Sequence, residues 1–228
     1  MRLGCRRSPP VRRSDRDTGR VLSLDHVRWV GGGSGAGKTT VSRLLAERVG
    51  ARLYSTDATI GVHSDRLEPA KAPLLERFRH MDMDERWLRR DPVTMYRTFP
   101  WFHGEGFDLV LDDLWQLPDD RPILVEGFRL LPQLVRPHLS DLRHAVWLAP
   151  TPAFRRAAFA GRPAQDAFWL RTSDPDQALA NLLERDRIFT AALAGASVST
   201  GVGLMRVDGT RTIQDMAGQL GARFGLAC

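Results

Sequence analysis

Gly32-x-x-x-x-Gly37-Lys38-Thr39 is the stretch of this sequence whose residue types and spacing specify a chemistry most directly. Its glycines let successive backbone N–H groups turn inward on phosphate oxygens without Cβ clashes. The helix that follows presents its N-terminal partial charge to the same anion. A lysine at position 38 can bridge the β- and γ-phosphates, and a hydroxyl at position 39 can ligate Mg²⁺. The motif therefore predicts a nucleoside triphosphate, ATP, with Mg²⁺. Gly32, Gly33, Ser34, Gly35, Ala36, Gly37, Lys38, Thr39 and Thr40 are the expected phosphate contacts.

Two acids have the right placement to act beside it. Asp57 ends the second expected strand, in Tyr54-Ser55-Thr56-Asp57, and its carboxylate could accept a proton from an attacking hydroxyl or hold Mg²⁺ through water. Glu126 closes Ile123-Leu124-Val125, where Gly127 lets the chain turn away, and with Thr39 it is a candidate metal-site residue. Phosphoryl transfer also needs cations on the migrating group. Arg155, Arg156, Arg162 and Arg171 surround one loop, and Arg185 and Arg187 follow it. Arg162 is taken as the catalytic candidate with Lys38 and Asp57. The run His80-Met81-Asp82-Met83-Asp84-Glu85 fits no metal site and reads as a solvated loop.

These residues need a scaffold that carries them to one place. His26–Val30 reads as a strand that ends in glycines, and the glycine run 31–37 is too costly for a strand or helix interior. Val41, Leu44, Leu45 and Val49 recur at helical spacing up to Gly50. Further strands are Arg52–Ser55, Ile123–Val125, Ala145–Leu148 and Gly203–Val207. Phe107, Val110, Leu111, Leu114 and Leu117 make residues 105–117 a helix, with Asp112 and Asp113 on its solvated side. Thr151-Pro152 opens another helix, residues 161–173 read as loop, and Asp174-Pro175 starts a long helix to about Leu193, stopped by Gly195. Strands alternating with helices predict an α/β fold with a parallel sheet covered on both faces and strand C-terminal ends along one edge.

Bulk properties narrow the setting. The 228 residues, 43% hydrophobic, suffice for one α/β domain. The formal charge of +6 is concentrated in residues 1–20, where seven arginines face Asp15 and Asp17. The remaining body is nearly neutral, so nucleic acid is a possible partner only through this basic tail. Residues 1–22 are expected to form a disordered tail, and Arg12-Arg13 lacks the apolar segment of an export signal. No apolar run is long enough to span a membrane. Two cysteines, Cys5 and Cys228, fit a reducing cytoplasm. The oligomeric state stays open.

Taken in order, Gly32–Thr40, the Asp57 turn, Val125-Glu126-Gly127, the Trp147-Leu148 strand with its arginine-bearing segment, and Val207-Asp208-Gly209-Thr210 resemble the small P-loop kinases. That group includes gluconate and shikimate kinases, nucleoside kinases and chloramphenicol phosphotransferases. The resemblance covers roughly residues 25–225. It implies a P-loop NTPase fold with a five-stranded parallel sheet of order 2-3-1-4-5, a lid near 153–173 and an Asp57-like base. It also implies adenine contacts near Asp208, Gly209, Thr210 and Arg211. Residues 23–228 would then be one domain carrying a helical insertion at 62–105. The expected activity is transfer of the γ-phosphate of ATP to a hydroxyl of a small molecule, a metabolite or an antibiotic. The alternatives are a nucleoside, nucleotide or polynucleotide 5′-kinase and a non-catalytic ATP-binding regulator. The insertion is expected to form the acceptor pocket. Trp87, Tyr96, Phe99, Trp101 and Phe102 would be its walls, and Arg79, Arg86, Arg89, Arg90 and Arg97 would meet an anionic acceptor.

Overall fold

Short runs of four to six residues are too short for helices and suit strands, buried on both faces at a sheet's centre and only partly at its edges, as in Arg52–Ser55 and Gly203–Val207. In the computed structural model, which describes residues 13–14 and 21–226, five of them form one parallel sheet. They are β1 (Val27–Gly32), β2 (Arg52–Ser55), β3 (Ile123–Glu126), β4 (Ala145–Pro150) and β5 (Gly203–Val207). Their spatial order is β2-β3-β1-β4-β5, the expected 2-3-1-4-5. Val30 pairs with Glu126, Ser55 with Glu126, and Gly32 with Leu148, which aligns the C-terminal ends of the central strands. The expected tail lies outside the described residues except Arg13–Ser14 and Val21–Leu22, which pair antiparallel.

The chain contradicts the expectation that the glycine run begins only after the strand. Gly31 and Gly32 are the last two residues of β1. The reason is a neighbour: the Trp147 indole lies across Gly31, where any Cβ would overlap the ring. Burying that large ring at the sheet centre outweighs the entropic cost of glycine in a strand. Trp147 is fully buried, and its Nε1–H donates to the Leu130 carbonyl at 2.7 Å.

Helices cover both faces. On one, α1 (Lys38–Val49) and α10 (Ile213–Phe224) pack Val41, Leu45, Met216 and Leu220 onto Val30, Leu124 and Leu148. The other face, bearing Val27, Trp29, Val125 and Trp147, is covered mainly by the long helix Pro175–Thr200 and by the segments between β2 and β3. Those segments are α2 (Ile60–Arg66), α3 (Pro73–Arg79), α4 (Met83–Trp87), α5 (Pro92–Thr98) and α6 (Phe107–Gln116). Short α7 (Pro132–Val135) follows β3, α8 (Pro152–Ala160) follows β4, and the long helix is α9. Gly195 does not stop α9, which continues to Thr200 and ends at Gly201 in the left-handed conformation. A single glycine inside a long helix costs about 1 kcal/mol, too little to break it against the packing of Phe189 and Leu193. Residues 161–173 contain two 3₁₀ turns, Ala164–Asp166 and Phe168–Arg171, in place of a plain loop. Among the described residues no helix is long and apolar enough to cross a membrane.

Candidate functional site

The loop from β1 to α1 is shaped by its own glycines and pinned from outside. Gly35 and Gly37 have positive φ, and the Gly33 N–H donates to the Leu148 carbonyl at 3.1 Å. Gly37 stands at the N-cap position of α1, and among the described residues no side chain caps that terminus. Its N–H groups are thus left for an anion. Ser34 through Thr40 line one end of a cavity of ≈ 470 Å³.

Lys38 is buried, and its Nζ donates to the Gly33 carbonyl at 3.0 Å across the loop. Burial holds its pKa below the ordinary lysine range, while the carboxylates of Asp57, Glu126 and Asp186 pull it upward. The Thr39 hydroxyl donates to Glu126 Oε2 at 3.1 Å, and the Ser55 hydroxyl donates to Oε1. Glu126 is fully buried, and burial raises its pKa above the ordinary carboxylate range. A hydroxyl and a carboxylate side by side form an all-oxygen donor set of the kind Mg²⁺ takes, with few protein ligands and the rest from water and phosphate. The His80–Glu85 run has no such arrangement: His80 bonds Glu76, and Asp82 caps α4. Among the described residues no group of three or more His, Cys, Asp or Glu is placed to hold a metal.

Asp57 lines the same cavity, directly after β2. It does not cap α2, whose N-cap position is Thr59. Its position is set by Gly127, which has φ 148° at the end of β3. A Cβ there would overlap the Thr56 hydroxyl and stand 3.0 Å from Asp57 Oδ1. Arg129, two residues on, holds the same turn: its Nη1 donates to the Thr56 carbonyl at 3.2 Å and to the Thr59 hydroxyl at 3.4 Å. Its Nη2 donates to the Gly106 carbonyl at 3.0 Å and to His63 Nδ1 at 3.1 Å. Burial lowers its pKa to about 10. Because His63 Nδ1 accepts from Arg129, its Nε2 carries the proton and donates to Asp113 Oδ2 at 2.8 Å. The Tyr54 hydroxyl donates to the same oxygen at 2.6 Å. Asp113 is therefore not on a solvated helix side but is the anchor of a polar network below the site. Arg129, His63 and Tyr54 were not singled out from the sequence, because the side chains that link them into one network lie 50 or more residues apart.

The arginines separate into clear groups. Arg162 lines the cavity, stacks on Phe159 at 4.0 Å and lies within electrostatic reach of Asp186, Asp57 and Lys38. Arg155 is buried and braces the loop between β1 and α1, donating from Nε to the Ser34 carbonyl at 3.2 Å and from Nη2 to the Thr190 hydroxyl. Arg187 pairs with Glu184 at 2.7 Å, Arg156 lines a separate hollow with it, and Arg171 is exposed. Arg185 faces the cavity and pairs with Asp186 at 2.6 Å. Asp208, Gly209 and Thr210 do not line the cavity. They form an exposed turn beside the loop's far end, where Gly209 approaches Phe154 and the nearby Ile213 lies next to Gly37.

The other end of the cavity is aromatic. Phe78, Trp87, Phe99, Trp101 and Phe102 line it, so four of the five expected walls are present and Phe78 is added. Tyr96 packs on Phe102 and His103 and does not line the cavity. None of Arg79, Arg86, Arg89, Arg90 and Arg97 lines it. Arg86 and Arg90 are spent on backbone carbonyls, Arg79 on the Ser64 carbonyl, and Arg89 on Asp82 and Asp84. Short helices have many unpaired carbonyls, and arginines satisfy them.

No family model matches the sequence, and no curated protein matches it. In structure the chain is similar to shikimate kinase from Acinetobacter baumannii in complex with shikimate. That match has 18% identity and a TM-score of 0.41, and covers 85% of this chain and 89% of the other. It is also similar to a gluconokinase from Sinorhizobium meliloti 1021, with 16% identity, TM-score 0.43, and coverage of 89% and 92%. A third similarity is to deoxyadenosine kinase from M. mycoides with bound dATP, with 10% identity, TM-score 0.47, and coverage of 87% and 99%.

Proposed function

We propose that the protein is a P-loop phosphotransferase that moves the γ-phosphoryl group of ATP to a hydroxyl of a small molecule. The observation that carries this reading is one continuous cavity, with Lys38, Thr39 and Asp57 at its phosphate-loop end and an aromatic chamber at the other. A nucleotide bound by Gly32–Thr40, with its adenine toward Asp208–Thr210, would point its γ-phosphate into this space. The residues 153–173, with Arg162, would act as the lid, and 62–105 as the acceptor-binding insertion.

In this mechanism the acceptor oxygen attacks the γ-phosphorus, the bond from that phosphorus to the β–γ bridging oxygen breaks, and ADP leaves. Asp57 takes the hydroxyl proton. Lys38 and Arg162 stabilise the charge on the migrating group. Thr39 and Glu126 would hold Mg²⁺, which when bound offsets phosphate charge. The Asp186 carboxylate and the Arg129 network keep these cations and the Asp57 turn in place before substrate arrives.

A metabolite and alcohol screen with ATP depletion as readout tests the proposal, with Lys38→Ala as control. Acceptor-stimulated ADP formation, lost in Lys38→Ala, is the expected result. Tight MgATP binding with no acceptor-stimulated turnover would overturn it in favour of a nucleotide-binding regulator.

A further inference from the structure

Arg185 and Asp186 are adjacent on α9, 5% and 0% exposed, and both line the cavity, Arg185 among the aromatics and Asp186 within electrostatic reach of Lys38 and Arg162. Arg185 Nε and Nη2 both donate to Asp186 Oδ1, at 2.9 and 2.6 Å. Among the described residues, Arg185 Nη1 and Asp186 Oδ2 are buried without a hydrogen-bond partner. Such orphaned buried groups are costly, so a pair of them beside a cavity points to a ligand that satisfies both.

The rest of the chamber is flat and apolar. The Arg185 guanidinium itself sits 4.7 Å from the Phe99 ring, 5.1 Å from Phe102 and 5.2 Å from Trp87. Apart from the indole N–H groups of Trp87 and Trp101, the walls contributed by Phe78, Phe99, Phe102 and Phe128 offer no polar side-chain group. A polyol would leave most of its hydroxyls unpaired here.

Charge points the same way. Five charged side chains line the cavity: Lys38, Asp57, Arg162, Arg185 and Asp186. Lys38, Arg162 and Asp57 lie together at the phosphate end and influence one another electrostatically. Arg185, the remaining cation, is neutralised by Asp186. An acceptor carboxylate among these aromatic walls would thus meet a cation already paired with Asp186.

We infer that the acceptor is an uncharged, hydroxyl-bearing molecule with a planar aromatic body, whose polar edge presents one hydrogen-bond acceptor to Arg185 and one donor to Asp186. This rests on the phosphotransferase reading for the fate of the hydroxyl, but not for the binding itself. A nucleoside with a heteroaromatic base and a benzenoid alcohol carrying an amide share this chemistry.

Isothermal titration of the full chain with MgADP present tests it. The probes are thymidine, adenosine and N-acetyl-4-aminobenzyl alcohol as neutral planar compounds, and shikimate and D-gluconate as sugar-acid types. At least one planar probe should bind about tenfold or more tighter than both acids, a difference of about 1.4 kcal/mol. The tighter class, nucleoside or benzenoid, identifies the source. Asp186→Asn uncovers the Arg185 charge and should narrow that ratio by about tenfold or more, which a merely structural role would not do. If Asp186→Asn does not fold, the wild-type ranking decides alone. Acids binding as tightly as every planar probe, or no saturable binding by any planar probe, overturns the inference. Planar binding without phosphoryl transfer from MgATP supports it and overturns the enzymatic reading. Phosphorylation of the acids alone overturns the inference and leaves the enzymatic reading standing.

Discussion

The Thr39 hydroxyl and the Glu126 carboxylate meet at 3.1 Å, although 87 residues separate them. Thr39 stands in the first turn of α1 and Glu126 ends β3, so the contact exists only because β3 lies beside β1 with Val30 paired to Glu126. The same carboxylate receives the Ser55 hydroxyl from β2, which fixes both of its oxygens at the centre of the sheet edge.

Glu126→Gln should separate two effects. Burial raises the Glu126 pKa above its usual 4.5. A carboxyl shifted upward on folding gives stability that is fully present below its unfolded pKa and is lost as pH rises through its folded pKa. Thermal melts of wild type against Glu126→Gln should therefore show the variant gaining stability relative to wild type as pH rises from mildly acidic to neutral. Mg²⁺-dependent ATP affinity should fall in the same variant. A melting difference that does not change with pH would show that Glu126 is not the buried titrating group.

Asp57→Asn should retain MgATP binding and lose phosphoryl transfer by about 10²-fold or more, the usual contribution of a positioned base. Nucleotide titration beside single-turnover kinetics reads both quantities. If nucleotide affinity collapses with the rate, Asp57 serves the metal site and not the acceptor proton.

Gly127→Ala should reduce turnover without touching any substrate. Its φ of 148° strains an alanine by about 1–3 kcal/mol, and the new Cβ would push the Thr56–Asp57 turn away from β3. Chemical denaturation should show that loss. The rate constant should fall while ATP affinity, which we propose Gly32–Thr40 sets, stays near wild type. Full activity in a destabilised variant would mean the turn has more freedom than its packing indicates.

Arg129→Met keeps much of the side-chain volume but removes the Arg129 donors from the Gly106 carbonyl and His63 and leaves the Thr56 carbonyl only the Thr59 hydroxyl. Each buried acceptor left unsatisfied costs about 1–3 kcal/mol, so unfolding free energy should drop by several kcal/mol. His63 would then be free to change tautomer, and its ¹⁵N chemical shifts should report the change. Unaltered His63 shifts would argue against Arg129 as the group that sets them.

The sequence by itself determined the glycine-rich loop, the five strands and the acids at their ends. Those features are local: the loop works through consecutive backbone groups, and a strand's ending residue follows from where its apolar run stops. It also indicated that aromatics between β2 and β3 form a chamber. Tertiary structure alone decided which arginines matter. Arg79, Arg86, Arg89 and Arg90 turned to nearby carbonyls and acids, while Arg185, on a helix about 100 residues further along, came to rest among Trp87, Phe99 and Phe102. It likewise turned Asp113 inward and carried β1 through Gly31, under Trp147. A helical or strand period says which residues share a face, but not which distant side chain that face will meet; that is fixed by how the elements pack.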